Sequence, residues 1–273
     1  MKTEMDWITN LEETLRADGE DGFFTVRYYQ SVDSTNEEAK RAAADGAGEG
    51  LVIIGEEQTA GRGRRGRDWA SPAGESVYMT QLLRPPLPAD RTSMLTLVMG
   101  LSAARAAREV CGREIGIKWP NDIVIDGRKI CGILTEARVE SGSFRADYVV
   151  VGIGINVNNS AFPAELSDRA VSLRQAAGRT FSRAAVTAAV LRHFHANYGV
   201  FLETGDLSGL IGDYEALLVN RGKMIRVEDP SDPYTGTALG IDASGALLVR
   251  RDDGGTERVT SGEVSVRGIY GYV

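Results

Sequence analysis

The feature that most constrains this chain is a glycine–arginine loop between two strands. Gly50-Leu51-Val52-Ile53-Ile54-Gly55 reads as a short buried strand, and Thr59 to Trp69 follows it as a loop. Inside the loop, Gly61-Arg62-Gly63-Arg64-Arg65-Gly66 has the spacing G-x-G-x-x-G. A dinucleotide-binding crossover needs a helix directly after such a loop, because the helix N-terminus holds the pyrophosphate. Here Arg67-Asp68-Trp69-Ala70-Ser71-Pro72-Ala73-Gly74 is turn-rich. Ser76 to Leu83 is then a second strand, ended by Pro85, Pro86 and Pro88. That order excludes a doubly wound dinucleotide fold.

The loop has a second reading. Arg62, Arg64, Arg65 and Arg67 fall within six residues. Arginine is suited to bidentate contact with carboxylate or phosphate. Such a loop should repel itself when empty and order around an anion; a solvated surface loop and an arginine-rich RNA-binding arm are the other readings. The composition weighs against the arm. Lys and Arg number 31 against 38 Asp and Glu, a formal charge of −7 over 273 residues. A protein that grips nucleic-acid backbone usually carries a positive field. Trp69 either stacks on a nucleobase or packs in the core.

Other chemistries find little support. Cys111, Cys131, His193 and His195 make neither a zinc pattern nor a disulfide framework. The polar N-terminus lacks a signal peptide's apolar stretch, and no apolar run reaches the roughly 20 residues of a membrane span. The expectation is a cytoplasmic protein with no membrane or nucleic-acid partner.

The chain divides by pattern. Ile8, Leu11 and Leu15 predict a leader helix over residues 5 to 16, closed by the break at Asp18 to Gly22. Residues 23 to 30 alternate as a strand. Ser34…Glu37 and Thr35…Glu38 both have capping-box spacing for a helix stopping near Gly46. A helix over 91 to 110 precedes a strand, a corner and a hairpin between Ile115 and Ala137, with Asp126-Gly127 as its turn. Tyr148 to Ile155 is a buried strand; 182 to 203 and 208 to 219 are helices. After Asn220 come short strands at 223 to 228, 235 to 241, 246 to 251, 256 to 260 and 263 to 267, which suggest a small barrel. The divisions are a leader, 1–26, a main domain, 27–220, and a small domain, 221–273.

The second constellation is Lys118-Trp119-Pro120-Asn121-Asp122, followed by Gly127-Arg128-Lys129-Ile130-Cys131-Gly132-Ile133-Leu134. Pro120 and its turn fix Asn121 and Asp122 at a strand end. The half-buried strand around Lys129 permits an inward lysine.

With Ser34-Thr35-Asn36, Gln58-Thr59-Ala60 ahead of the arginine loop, and Gly152-Ile153-Gly154-Ile155-Asn156, these motifs occur in an order that closely resembles the biotin–protein ligases, from about residue 27 to the end. The resemblance implies an α+β fold: a catalytic domain like that of class II aminoacyl-tRNA synthetases, with a mixed sheet flanked by helices, and a C-terminal SH3-like β-barrel. It implies that ATP, biotin and Mg²⁺ give biotinyl-5′-AMP, whose biotinyl group passes to a lysine of a biotin carboxyl carrier domain.

It also implies residue roles. Lys129, Arg62 and Arg64 would act as catalytic cations, and Asp122 would orient or deprotonate the acceptor amine, a turn-forming Asp being the plain alternative. Ser34, Thr35, Asn36, Gln58, Gly61, Arg62, Arg64, Lys129, Gly132, Gly152 and Ile155 would hold biotin. Arg64, Arg65, Arg67, Trp69, Asn121, Lys129, Asn156 and Arg267 would hold ATP.

Many bacterial members carry an N-terminal helix-turn-helix. About 25 residues precede the first catalytic strand here, so operator binding is not expected, and residues 1–22 match no part of the pattern. A lipoate–protein ligase and a non-catalytic biotin sensor are the rivals, and the state is expected to be monomer or homodimer.

Overall fold

The computed structural model describes residues 2–229, 232–260, 265–268 and 272–273. The elements of the main domain are α1 (Lys2–Ala17), β1 (Thr25–Val32), α2 (Thr35–Ala44), β2 (Leu51–Gln58), β3 (Val77–Leu83), α3 (Leu95–Cys111), β4 (Gly116–Lys118), β5 (Asp122–Ile125), β6 (Arg128–Arg138), β7 (Tyr148–Ile155), α4 (Leu173–Ala177), α5 (Arg183–Thr204) and α6 (Ile211–Leu217). The small domain holds β8 (Met224–Glu228), β9 (Tyr234–Ile241), β10 (Leu247–Arg250), β11 (Thr256–Val259) and β12 (Ser265–Gly268).

Seven strands form one mixed sheet in the order β1-β2-β3-β7-β6-β5-β4. Only β1–β2 is parallel within it. β3 and β7 are buried at every residue, as the middle strands of a sheet covered on both faces should be; β7 is apolar throughout, while β3 buries Thr80 and Gln81 among its apolar residues. One face packs on α3 through Val149, Val151, Ile153 and Ile155, and α5 lies against α3 in the same core. The other packs on α2, where Ala39, Ala42 and Ala43 meet Ile53, Leu82 and Val150. The small domain is a five-stranded antiparallel sheet in the order β11-β10-β9-β8-β12.

The leader packs into the same core as α3 and α5. Leu11 and Leu15 are buried there, and Trp7 lies among them. The Asp126-Gly127 turn has positive φ at both residues, 49° and 74°, the conformation a two-residue hairpin requires. The long helix begins at Leu95, after a 3-10 turn over Ala89–Met94, rather than at 91.

Helix α4 was not expected; Ser172 and Gln175 form its capping box. The capping box expected at the start of α2 does not form. Ser34 is the N-cap residue but makes no side-chain cap bond. Gln58 takes over, its Oε1 accepting from Thr35 N at 2.9 Å. The two histidines each meet a carboxylate, His193 with Glu109 at 2.9 Å and His195 with Glu20 at 2.5 Å. Both cysteines are free and buried. Among the described residues, no helix is long and apolar enough to cross a membrane.

Candidate active site

A narrow cleft, with a cavity volume of ≈ 50 Å³, opens on the α2 face of the main sheet. Its floor is the backbone of β6 and β7, where Gly132 pairs with Gly154 and Leu134 with Gly152. A Cβ at Gly154 would fall 2.5 Å from Trp69 Nε1, and one at Gly132 2.9 Å from Lys129 Nζ. A Cβ at Gly152 would collide with the Asn36 side chain. These glycines therefore let neighbouring side chains lie directly on the sheet.

The wall at the start of α2 is polar. Thr35 Oγ1 donates to Gln58 Oε1 at 3.1 Å, and Gln58 Nε2 donates to Ser71 Oγ at 2.8 Å. Thr80 Oγ1 lies 2.8 Å from Thr35 Oγ1 and 2.7 Å from Asn36 Oδ1. Asn36 Nδ2 donates to Glu136 at 2.7 Å, and Glu136 also pairs with Lys40. Ser34 lines the cleft, and its hydroxyl has no protein partner among the described residues. The result is a pre-oriented set of donors and acceptors in which one hydroxyl is left for a ligand.

The arginine loop folds back on itself instead of standing open. Gly63 N donates to Arg67 O at 2.7 Å, and Trp69 N to Gly61 O at 2.9 Å. Arg65 takes a left-handed φ of 61° to make the bend. Arg64 turns inward and donates to Asn121 Oδ1 at 3.0 Å. Burial makes its charge costly; Asp122 offsets part of that cost, while Arg65 and Arg67 add to it. An anion entering the cleft would relieve this imbalance. Arg62 is 65% exposed and stands 3.7 Å from Glu37.

A β-bulge aims the key lysine. Ile123 pairs with Cys131, but Val124 pairs with Lys129, so Ile130 is an extra residue. Ile130 and Cys131 both enter the core. The shift moves Lys129 onto the cleft face beside Gly132, where strict alternation would have turned it to the core. Lys129 Nζ then meets Asp122 Oδ1 at 2.5 Å and lies 5.0 Å from the centre of a Trp69 ring.

Asp122 is the electrostatic centre. Burial opposes its ionisation, but Lys129, the Tyr272 hydroxyl and Lys118 together outweigh burial and hold its carboxyl below the usual range. Tyr272 donates to Asp122 Oδ2, and Lys118 Nζ sits 3.5 Å from the centre of the Tyr272 ring.

The cleft thus brings together Ser34, Thr35, Asn36, Gln58, Arg62, Arg64, Trp69, Asn121, Lys129, Gly132 and Gly152 from the sequence reading. Asp122 joins them through Lys129. Gly61 lies at the base of the loop, where a Cβ would press on Trp69 O and Ser71 Oγ. Arg65 and Arg67 are exposed outside the cleft.

Ile155 and Asn156 also fall outside it. The Ile155 side chain is in the core beneath the sheet, and Asn156 Nδ2 donates to Lys129 O at 3.4 Å and Val171 O at 3.3 Å. Asn156 therefore serves the lysine's backbone. Arg267 is in β12, but its side chain lies outside the described residues.

Sequence reasoning assigned no role to Lys118, Thr80, Ser71 or Tyr272. Lys118 had a signal, since a tight corner places it opposite Asp122. Tyr272 had none.

Comparison with known proteins agrees with this geometry. Residues 28–156 match the model of the biotin/lipoate A/B protein ligase family, and residues 222–267 match that of the biotin protein ligase C terminal domain. The bifunctional ligase/repressor BirA of Bacillus subtilis is 38% identical, over 83% of this chain and 70% of that protein. A biotin–[acetyl-CoA-carboxylase] ligase of Mycobacterium tuberculosis is 33% identical, over 85% of each chain. The biotin protein ligase from Aquifex aeolicus, solved in complex with biotin and ATP, superposes with a TM-score of 0.77 at 31% identity, over 89% of this chain and 99% of that one. With the cleft, the two domains and these relatives in agreement, the chain belongs to the biotin–protein ligases of the biotin/lipoate A/B protein ligase family.

Proposed function

We infer that this chain is a biotin–[acetyl-CoA-carboxylase] ligase. It activates biotin with ATP to biotinyl-5′-AMP and transfers the biotinyl group to a lysine of a biotin carboxyl carrier domain. The observation that carries the reading is a glycine-floored cleft with Lys129 and Arg64 on one side and the Ser34–Thr35–Gln58 wall on the other.

In the first step a biotin carboxylate oxygen attacks the α-phosphorus, and the bond to the β-phosphate oxygen breaks to release pyrophosphate. Two anions meet, so cations must offset their repulsion and the charge that develops. Lys129 and Arg64 supply it from within the cleft, and Arg62 from its rim. Thr35, Gln58 and the free Ser34 hydroxyl suit the ureido ring of biotin, and Trp69 with Asn121 suits the nucleotide. Arg65 and Arg67, exposed outside the cleft, are proposed to reach the phosphates when the loop closes over ATP.

Among the described residues, no group of three or more His, Cys, Asp and Glu is placed to hold a metal ion. Mg²⁺ is accordingly assigned to the ATP phosphates, which it accompanies as part of the substrate.

In the second step the acceptor amine attacks the acyl carbon. The C–N bond forms, the C–O bond to phosphate breaks, and AMP leaves with its electron pair. An amine with a free pKa of about 10.4 must shed a proton first. The proton passes to water, and Asp122, held ionised, orients the amine for attack. The cytoplasm, where ATP and a carboxylase are both available, is the compartment proposed for this chemistry.

The test is a single-turnover incubation with ATP and a carrier domain, read by mass spectrometry. A biotinyl mass gain with biotin and none with lipoate is expected; a gain with lipoate alone would overturn the reading.

A further inference from the structure

Tyr272 follows the last strand of the small domain, yet its side chain reaches Asp122 and Lys118 of the main domain, beside the cleft. Its hydroxyl donates to Asp122 Oδ2 while Lys129 holds Oδ1, so both carboxylate oxygens are engaged from opposite sides. Its ring also lies under Lys118, 3.5 Å from that ammonium. Lys118 is buried at 5% exposure and sits directly opposite Asp122 in the β4–β5 register. Val273, next to Tyr272, packs where a Cβ at Gly127 would come within 3.3 Å, so the segment is seated on the β5–β6 turn. One residue of the small domain thus fixes the plane of a carboxylate and the place of a second cation.

We propose that Tyr272 is a positioning residue for acyl transfer: the small domain uses it to hold Asp122 in the orientation that receives the acceptor lysine. This rests on the ligase reading above. The transfer step itself is unchanged, with C–N formed, C–O broken, AMP released and the amine proton passed to water. The charged and titratable groups that act on that carboxylate are Lys129 from β6, Lys118 from β4, Arg64 from the loop and Tyr272; the Cys131 thiol feels its charge from the core side of β6. Burial pushes the Cys131 thiol up, so it stays neutral. With the hydroxyl gone, burial would regain part of its hold on Asp122, which would then begin to take up a proton at a higher pH.

The experiment uses full-length protein and pre-formed biotinyl-5′-AMP, with a carrier domain as acceptor. Tyr272→Phe keeps the ring over Lys118 and removes the hydroxyl; Tyr272→Ala removes both. For Tyr272→Phe, transfer at saturating carrier should fall about 10-fold, the scale of one lost hydrogen bond to a charged group. KM for the carrier should stay within about twofold, since the loss is of orientation and not of docking. The deficit should be deeper at pH 5 than at pH 8. Tyr272→Ala should fall further still.

A Tyr272→Phe protein with native transfer rates, or with an equal deficit at both pH values and a raised KM, would overturn the proposal. If the unaltered chain transferred no biotin, the ligase reading would fail and carry this proposal with it. Normal wild-type transfer with an unaffected Tyr272→Phe would sink this proposal alone.

Discussion

Trp7 Nε1 donates to Glu56 Oε2 at 3.3 Å, so the first helix is bonded to the strand that carries Gln58. Glu56 is wholly buried, and it also meets Arg183 at 2.8 Å, Gly74 N at 2.8 Å and the Tyr28 hydroxyl at 3.2 Å. One carboxylate therefore ties together α1, β1, α5 and the segment just after the arginine loop.

Glu56→Gln should destabilise the fold by about 3 kcal/mol, near the low end for a broken buried pair because Arg183 keeps 11% exposure. Burial favours the protonated acid, but Arg183 outweighs it and the carboxyl sits below its usual 4.5. A depressed folded-state value stabilises in full above 4.5 and is lost as the pH falls through the lower, folded value. The drop in Tm between pH 6 and pH 3 should therefore be smaller in Glu56→Gln than in the parent, measured by thermal melts. Parallel melting curves would remove Glu56 from the account.

Lys129→Ala should lose adenylate formation by about 10²–10³-fold, as for removal of one preorganised charge-stabilising donor. Pyrophosphate release on mixing biotin and ATP measures it, with circular dichroism to show a native fold. Near-native release would refute the role given to the bulge-aimed lysine.

Gly154→Ala should raise KM for the small substrates by about 10-fold or more. Its methyl carbon would sit 2.5 Å from Trp69 Nε1, so the indole must be displaced into the cleft. Trp69 emission, read as a difference between the variant and the parent, should shift with it. Unchanged KM values for biotin and ATP would show that the floor tolerates a side chain.

What could be read beforehand was local. The start of α2, Gln58 with the arginine loop, and the Lys118–Asp122 corner are each a short run of neighbouring residues, and each run contributes to the cleft. The capping box failed because other oxygens took the N–H groups that Glu37 and Glu38 would have reached: Asp33 Oδ1 accepts from Ser34 N, and Gln58 Oε1, from another strand, accepts from Thr35 N. Ile155 was misplaced because alternation along β7 turns it away from Gly152 and Gly154, into the core. The opposite error threatened Lys129, whose aim depends on an extra residue that no spacing announces. Tyr272 was invisible because its partner is 150 residues away.

The Lys118–Asp122 corner is also completed from far down the chain. Trp119 N donates to Asn220 Oδ1, 101 positions later, and its buried indole N–H donates to Gly245 O, 126 positions later. Both bonds must wait for residues made long after the corner itself. During synthesis from the N-terminus, the main sheet can form while this corner still lacks its backing. A chain that stops before the small domain therefore carries every cation of the cleft and no finished seat for Asp122. On the proposed roles of Asp122 and Tyr272, competence for transfer comes only with the last part of the polypeptide.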